Sequence, residues 1–496
     1  MEKERSLGSR AFFAVVLFFG FYVLALSVAA GLLFIPYLLW KTHVSVVGGI
    51  PLSCVALAGL ILYSIVPRRD KFEPPGPQVT PEDHPRLFST IETIARDLRQ
   101  AMPREVYVIP ICNAWVAGRG GIMGIGSRRV MAVGIPLLQT LSVPQLTAAL
   151  AHEFGHYCGG DVRLGPWIYK TRLAITRTVI GLQAGKSILQ IPFVLYGNAF
   201  LKITSSISRG QEFAADRMAA SIAGAAHVAS ALKKIENTSS NFAVYWQEEV
   251  LPVLAKGFYP PVVMGFVQFL SSERAKELKK RFRGRAAEAI KPGPFDTHPT
   301  LEDRLAFLNA RTREGEDDDS TIDASAPSAM TLLNKEAPEI EQTLMAWVRA
   351  TQKPPLTPVS WQEVGQKVWP EIWKEGADLF AVELVNPATV ADLPGLIQKD
   401  TSAPLPAADR QSDIAPPEVS RTIRIMYKYG SALAFAMTRT GWNPEVMPGA
   451  TVSLDRGGIR FMPFESIAKL ARREMGEETW RDLCRDAGIL DLSLRP

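Results

Sequence analysis

Residues 142–161 read SVPQLTAALAHEFGHYCGGD. The stretch predicts one buried helix, because Ser142 can cap its start and apolar residues follow at helical spacing. His152 and His156 are four residues apart, so both imidazoles lie on one face of that helix and can bind one tetrahedral metal ion. Glu153 stands beside the first histidine, where it can take a proton from water at the metal. The pattern therefore predicts the core of a zinc peptidase.

A catalytic zinc site needs a third protein ligand and an open fourth position. Residues 208–216 read SRGQEFAAD, and they predict an alanine-rich helix slim enough to pack closely against the first one. Glu212 and Asp216 are four residues apart and face the same way. We expect Glu212 to complete the coordination and Asp216 to accept the free ring N–H of a ligating histidine. Arg209 and Arg304 are expected to form structural ion pairs, with the site carboxylates as candidate partners.

Composition excludes several other classes of protein. The chain has 496 residues and a formal net charge of +5, which is too weakly basic to indicate nucleic-acid binding without a clustered patch. Its four cysteines form no CxxC pair, so neither a disulfide framework nor a cysteine zinc site is expected, and a reducing compartment is indicated.

Two apolar stretches near the N-terminus predict a transmembrane hairpin, with spans of about 11–40 and 44–66. Basic residues precede and follow the pair, whereas the turn holds only Lys41, so the positive-inside rule places both ends in the cytoplasm. The predicted location is the plasma (inner) membrane, multi-pass, with the catalytic domain on the cytoplasmic side. A cleaved signal peptide is the rival interpretation, but it predicts a shorter apolar run and no second span.

The predicted fold class is mainly α with a small β-sheet. The expected domains are a hairpin over 1–72, a zinc peptidase domain over 73–310, an acidic flexible linker over 311–330, and a mostly helical C-terminal region over 331–496. Strands are expected at 105–109 and 129–135, with irregular backbone between them. The second strand is taken as an outer strand that holds an extended peptide. Its predicted substrate-binding residues are Met131, Ala132, Val133 and Gly134.

The order of these motifs resembles the HtpX-like membrane zinc endopeptidases and the CAAX prenyl endopeptidases. The resemblance rests on two apolar spans, Asn113-Ala114, the HEFGH motif at 152–156, the second motif at 208–216, and a late His-Pro…Arg motif from His298 to Arg304. It implies a gluzincin-type α+β fold, zinc bound by His152, His156 and Glu212, and Glu153 as general base. It also implies protein or peptide substrates, such as misfolded or surplus membrane proteins.

Several alternatives stay open at this stage. His298 can donate a hydrogen bond to a developing oxyanion, block the metal in a resting state, or simply cap a helix. The protein can also be a zinc-stabilised membrane chaperone or scaffold, although a purely structural metal site needs no general base. A prenyl-peptide processing protease is the third possibility, disfavoured by the small number of spans. The oligomeric state is not indicated by the sequence.

Overall fold

The structure is a computed structural model that describes residues 2–42, 49–67, 69–121, 126–157, 165–286, 298–310, 326–383, 388–402 and 417–495. The chain divides into two compact units. The first contains Met1–Ser239 and Arg285–Glu336, and the second contains Ser240–Gly284 and Ala337–Pro496. The domain bounds expected from the sequence stay a prediction.

Helices dominate both units, as the sequence predicts. Up to residue 245 they are α1 (Glu2–Lys41), α2 (Ile50–Ile65), α3 (Pro85–Asp97), α4 (Ile135–Thr140), α5 (Val143–Gly155), α6 (Gly165–Ala184), α7 (Gln190–Ala223) and α8 (Ala225–Tyr245). Further along they are α9 (Leu251–Ala255), α10 (Val262–Ser271), α11 (Glu273–Ala286), α12 (Leu301–Asn309), α13 (Ala337–Thr351), α14 (Trp361–Lys367), α15 (Trp369–Glu383), α16 (Leu393–Ser402), α17 (Pro417–Arg439), α18 (Pro463–Ala471) and α19 (Glu477–Asp486).

The sheet of the first unit has four strands in the order β1-β2-β4-β3. They are β1 (Gln78–Val79), β2 (Glu105–Ile109), β3 (Ala114–Arg119) and β4 (Arg128–Gly134). β4 runs parallel to β2 on one side and antiparallel to β3 on the other, so both of its edges are paired.

This pairing corrects the substrate-strand prediction. Met131, Ala132 and Val133 are fully buried, and Gly134 ends the same central strand. A central strand has no free N–H and C=O groups for another chain. The edge strands of this sheet are β1 and β3, and β3, the longer of the two, lies in the part of the sequence expected to be irregular. Strand order is set by the parallel crossover from β2 to β4, and this is not visible in local periodicity.

Four helices of the first unit share an apolar core. Phe21, Ala25 and Ala29 of α1 are buried together with α2, α6 and α7 residues. Among the described residues, one helix, Val15–Lys41 within α1, is long and apolar enough to cross a membrane. The second expected span is a 16-residue helix, Ile50–Ile65, and the intervening turn at 43–48 lies outside the described residues. A transmembrane hairpin therefore stays a prediction.

The start of α5 is fixed by local and distant contacts. The Ser142 side chain accepts from the Gln145 N–H and the Gln145 side chain accepts from the Ser142 N–H, so the predicted cap is a complete capping box. A short segment at 326–336 lies against this end of the helix. The Ala329 N–H donates to the Leu141 carbonyl over 2.7 Å, just before α5, and the Asn334 N–H donates to Nδ1 of His84, just before α3, over 3.1 Å. This segment therefore holds the chain at the starts of both helices.

The second unit has its own core, which contains buried Trp373, Trp442 and Trp480. Its strands are β5 (Phe258–Tyr259), β6 (Thr357–Pro358), β7 (Asn443–Glu445), β8 (Ser453–Arg456) and β9 (Ile459–Phe461). β8 and β9 form the hairpin that the glycine turn after Asp455 predicts. A buried carboxylate, Glu341, accepts the first N–H groups of α10, which explains why a charged residue is tolerated there.

Candidate metal centre

The candidate site is formed where α5 crosses α7 at very short range. A Cβ on Gly155 would stand 2.9 Å from the Cα of Ala215, closer than any real side chain allows. Ala215 and Ala219 of α7 are fully buried on the same face. The small residues at the crossing therefore bring the histidine-bearing end of α5 against the carboxylate-bearing part of α7.

Three side chains converge at this crossing: His152, His156 and Glu212. Their donor atoms all lie within 4.8 Å of one another. The Nε2 atoms of His152 and His156 are 3.4 and 3.7 Å from the two Glu212 carboxylate oxygens. Two ligands bound at the usual zinc distances and a tetrahedral angle are about 3.3 Å apart. The donor set and its spacing therefore fit a metal ion, and two imidazoles with one carboxylate form a typical catalytic zinc set.

Asp216 and Arg304 surround the ligands. Asp216 is fully buried and its Oδ1 lies 2.9 Å from Nδ1 of His152, so it can fix the ring's tautomer and leave Nε2 for a metal. Arg304, on α12, forms a two-point ion pair with Asp216 and lies 3.6 Å from Glu212. This confirms the prediction that Arg304 pairs with site carboxylates. Arg209 lies on α7, three residues before Glu212, and is partly buried.

His298 lies at the open side of the same cluster. Its Nδ1 is 3.0 Å from Oε1 of Glu212, and 70% of its side chain is exposed. The structure thus brings the His-Pro…Arg motif to the site at both of its ends, His298 and Arg304. Whether His298 aids the reaction or restrains the metal ligand stays a prediction, since both roles are compatible with this contact.

The protonation states reflect strong coupling inside the pocket. Burial favours the neutral form of His152, but hydrogen bonds to Asp216 and Glu212 raise its pKa to about 9. Burial and the nearby charge of His152 lower the pKa of His156 to about 4. Burial also raises the pKa of Glu153 to about 7, against the opposing effect of His152. A carboxylate with a pKa near neutrality is suited to accept and return a proton.

We expect metal binding near pH 7 to release about one proton, because a ligating histidine must be neutral and the pKa of His152 is about 9 without metal. Affinity should therefore rise by about tenfold per pH unit from neutrality and level off above the His152 pKa. Calorimetric titration with Zn²⁺ in two buffers of different ionisation enthalpy measures the released proton. Binding heats that do not depend on the buffer would contradict the expected proton release.

One contact at the site was not expected from the sequence. Tyr157 directly follows His156, and its hydroxyl donates to the Val116 carbonyl on β3 over 2.9 Å. The Arg129 guanidinium lies 4.6 Å from the centre of the Tyr157 ring. The sequence did contain one signal for this contact. Tyr157 directly follows His156, and the end of a metal-binding helix lies next to the site.

The helix crossing and its donor set are those of a metallopeptidase. Residues 81–312 match the model of Peptidase family M48. A protein named "Protease HtpX homolog" from Moorella thermoacetica is 26% identical over 342 residues, covering 63% of this chain and 99% of the relative. "Protease HtpX" from Stutzerimonas stutzeri is 26% identical over 244 residues, covering 45% of this chain and 72% of the relative. No solved structure matches the chain.

These matches support the resemblance drawn from the motifs: residues 81–312 match Peptidase family M48, and the relatives are HtpX proteases. The matches support a metallopeptidase, and the His152, His156 and Glu212 group could hold its metal. The family match ends at residue 312. It therefore includes Ser240–Gly284 of the second unit but not Ala337–Pro496.

Proposed function

We propose that the protein is a membrane-anchored zinc endopeptidase that hydrolyses internal peptide bonds of misfolded or surplus membrane proteins. The observation that carries the proposal is the cluster of His152, His156 and Glu212 with a glutamate, Glu153, beside it on α5. A purely structural metal site needs no such group. A zinc-stabilised chaperone or scaffold is therefore the less favoured alternative, and a prenyl-peptide processor is the other.

His152, His156 and Glu212 would hold the zinc ion, which would supply a Lewis acid for the scissile carbonyl and for water. Glu153 accepts the proton of the attacking water and delivers it to the leaving amine, a double role that its pKa of about 7 permits. Asp216 keeps the His152 ring in the orientation that binding requires, and Arg304 fixes Asp216 in turn. His298 lies within reach of a substrate carbonyl at the open side.

The substrate is proposed to pair with β3, the strand of the four-stranded sheet that has a free edge beside α5. An extended peptide added to an edge receives hydrogen bonds from the backbone, so side-chain selectivity is low and many unfolded sequences can bind. The same mode explains why β4, the strand expected from the sequence, contributes burial and support instead of a binding edge.

Membrane anchoring is supported by the outward face of the apolar helices. Large apolar side chains are exposed on α1, α2, α6 and α7, although the inward faces of these helices share one core. The exposed residues include Phe19, Val23, Leu26, Phe34, Leu52, Val55, Ile180, Ile191 and Leu195. A water-soluble protein rarely exposes so extended an apolar surface, whereas a bilayer covers it without cost. Trp40, 75% exposed at the end of α1, suits the interface.

The orientation can be tested by fusing a reporter after Lys71. We expect a cytoplasmic signal, because the basic residues flank the two apolar helices on that side and the turn carries only Lys41. A second fusion in the turn, after Thr42, serves as the matched control and should report the opposite side. An external signal at Lys71 would overturn the proposed cytoplasmic catalytic domain.

The proteolytic proposal is tested by measuring metal content and digestion of unfolded casein for the wild-type full chain and for its Glu153→Gln variant. A protein that binds zinc, requires it for folding and cuts nothing would favour the scaffold alternative.

A further inference from the structure

The free edge of β3 has a defined pattern of hydrogen-bonding groups. In a strand, the N–H and C=O of one residue point to the same side and those of the next residue point to the other. The Asn113 carbonyl accepts from the Gly134 N–H over 2.8 Å and therefore faces β4. By alternation, Ala114, Val116 and Gly118 direct their backbone groups to the open side, where a substrate strand would pair.

Tyr157 already occupies the centre of this open side. Its hydroxyl donates to the Val116 carbonyl over 2.9 Å. An added strand would use the same carbonyl as an acceptor at this point of the edge. The phenol O–H thus takes the place of one backbone N–H of a bound peptide.

The ring is held firmly in this position. Arg129, on the neighbouring strand β4, lies over its face at 4.6 Å, a distance at which a cation and an aromatic ring attract each other. The Arg129 guanidinium is itself fixed, because it donates to the Ala101 carbonyl over 2.8 Å and also contacts the Gln100 side chain. Displacing the ring therefore costs the contact with Arg129 in addition to the hydrogen bond to Val116.

We infer that Tyr157 determines which substrates this enzyme accepts, by competing with the peptide backbone for the Val116 carbonyl of β3. The inference rests on the proposed function, in which a peptide pairs with β3. A peptide that pairs only at Ala114 leaves Tyr157 in place, whereas one that pairs along the whole strand must displace it. Unfolded segments that supply several backbone hydrogen bonds at once are thereby favoured over short or partly folded ones.

Tyr157→Phe tests the inference, because it keeps the ring under Arg129 and removes the competing oxygen. The KM for unfolded β-casein should fall by about three- to tenfold, the factor expected for one ordinary hydrogen bond, with kcat changed by less than about twofold. Tyr107→Phe is the matched control. It removes a hydroxyl from the same sheet, where Tyr107 donates to Glu105 over 2.7 Å and does not touch the edge of β3. Its KM should equal that of the wild type.

A binding measurement separates this inference from the proposed function. In the Glu153→Gln background, fluorescein-labelled β-casein should bind with a Kd lowered by the same factor when Tyr157→Phe is added. This binding measurement does not require cleavage, so it tests the role of Tyr157 even if the wild type is inactive. An unchanged or higher Kd with unaltered thermal stability would overturn the role of Tyr157, as would a complete lack of casein binding.

Arg129→Gln provides a second variant in case Tyr157→Phe folds poorly. It frees the ring without removing the hydroxyl, so KM should change in the same direction by a smaller factor. A rise in KM would mean that Tyr157 supports the substrate edge instead of competing for it.

Discussion

Replacing Glu153 by glutamine is expected to reduce casein cleavage by about 10²- to 10⁴-fold, the usual contribution of general acid–base catalysis. Glutamine has nearly the same shape as glutamate but cannot accept the proton of the attacking water. The ligand atoms of His152, His156 and Glu212 are not altered by this change. Zinc content, measured by atomic absorption on the purified full chain, should therefore equal that of the wild type.

The matched control is Glu236→Gln, the same chemical change at an exposed position of α8. It should leave both cleavage and metal content unchanged, which shows that the loss is specific to the pocket. Wild-type cleavage rates in the Glu153→Gln variant would refute the proposed mechanism. Loss of zinc from that variant would instead assign Glu153 a structural part in the metal centre.

Glu212→Ala should lose most of the bound metal, because only two of the three protein ligands are left. The effect should be larger than that of Asp216→Asn, which removes a charge that orients a ligand and typically lowers metal affinity by about 10- to 100-fold. The comparison is informative because both residues lie on α7, four positions apart, and both are buried. Zinc content and a competitive chelator titration measure the two losses.

A reduced metal content could also arise from misfolding of Glu212→Ala, since Arg304 and His298 lose a partner there. Thermal unfolding of the variant in the presence of excess Zn²⁺ distinguishes the two causes. A folded variant with full zinc occupancy would show that the metal is bound by a different set of ligands.

The local parts of the site could be predicted from the sequence. Residues spaced by four on a helix share a face whatever the rest of the fold does, so the pairing of His152 with His156 and of Glu212 with Asp216 follows from helix geometry alone. The Ser142 cap and the small residues at the helix crossing are equally local. The structure places all of them where these patterns require.

The parts that depend on strand order could not be predicted. β3 contains Gly118 and is followed by two more glycines, so its sequence favours irregular backbone, and its pairing with β4 is what makes it a strand. The local pattern does not indicate β3, so it predicts β4 as the outer strand. Arg304 is another example, since the 88 residues that separate it from Asp216 hide their contact from any local pattern.

The apolar N-terminal segments show a similar division. The first apolar run forms a 40-residue helix, close to expectation, because composition alone is sufficient for such a helix. The second run forms a helix of 16 residues, shorter than the predicted span of 44–66. The semi-apolar stretch at 179–203 became parts of α6 and α7 that pack against α1 and α2.

The length of α7 has a consequence for which substrates can be reached. This single 34-residue helix begins among the apolar helices and carries Glu212 further along. If Lys202, its first exposed charged residue, marks the bilayer surface, Glu212 follows after 10 residues (212 − 202), or up to about 15 Å along the axis. An extended chain covers that distance with about five residues. The length of the helix would therefore set a minimum distance between the bilayer and the cleaved bond. A membrane protein should be cut only where at least about five unfolded residues project from the lipid.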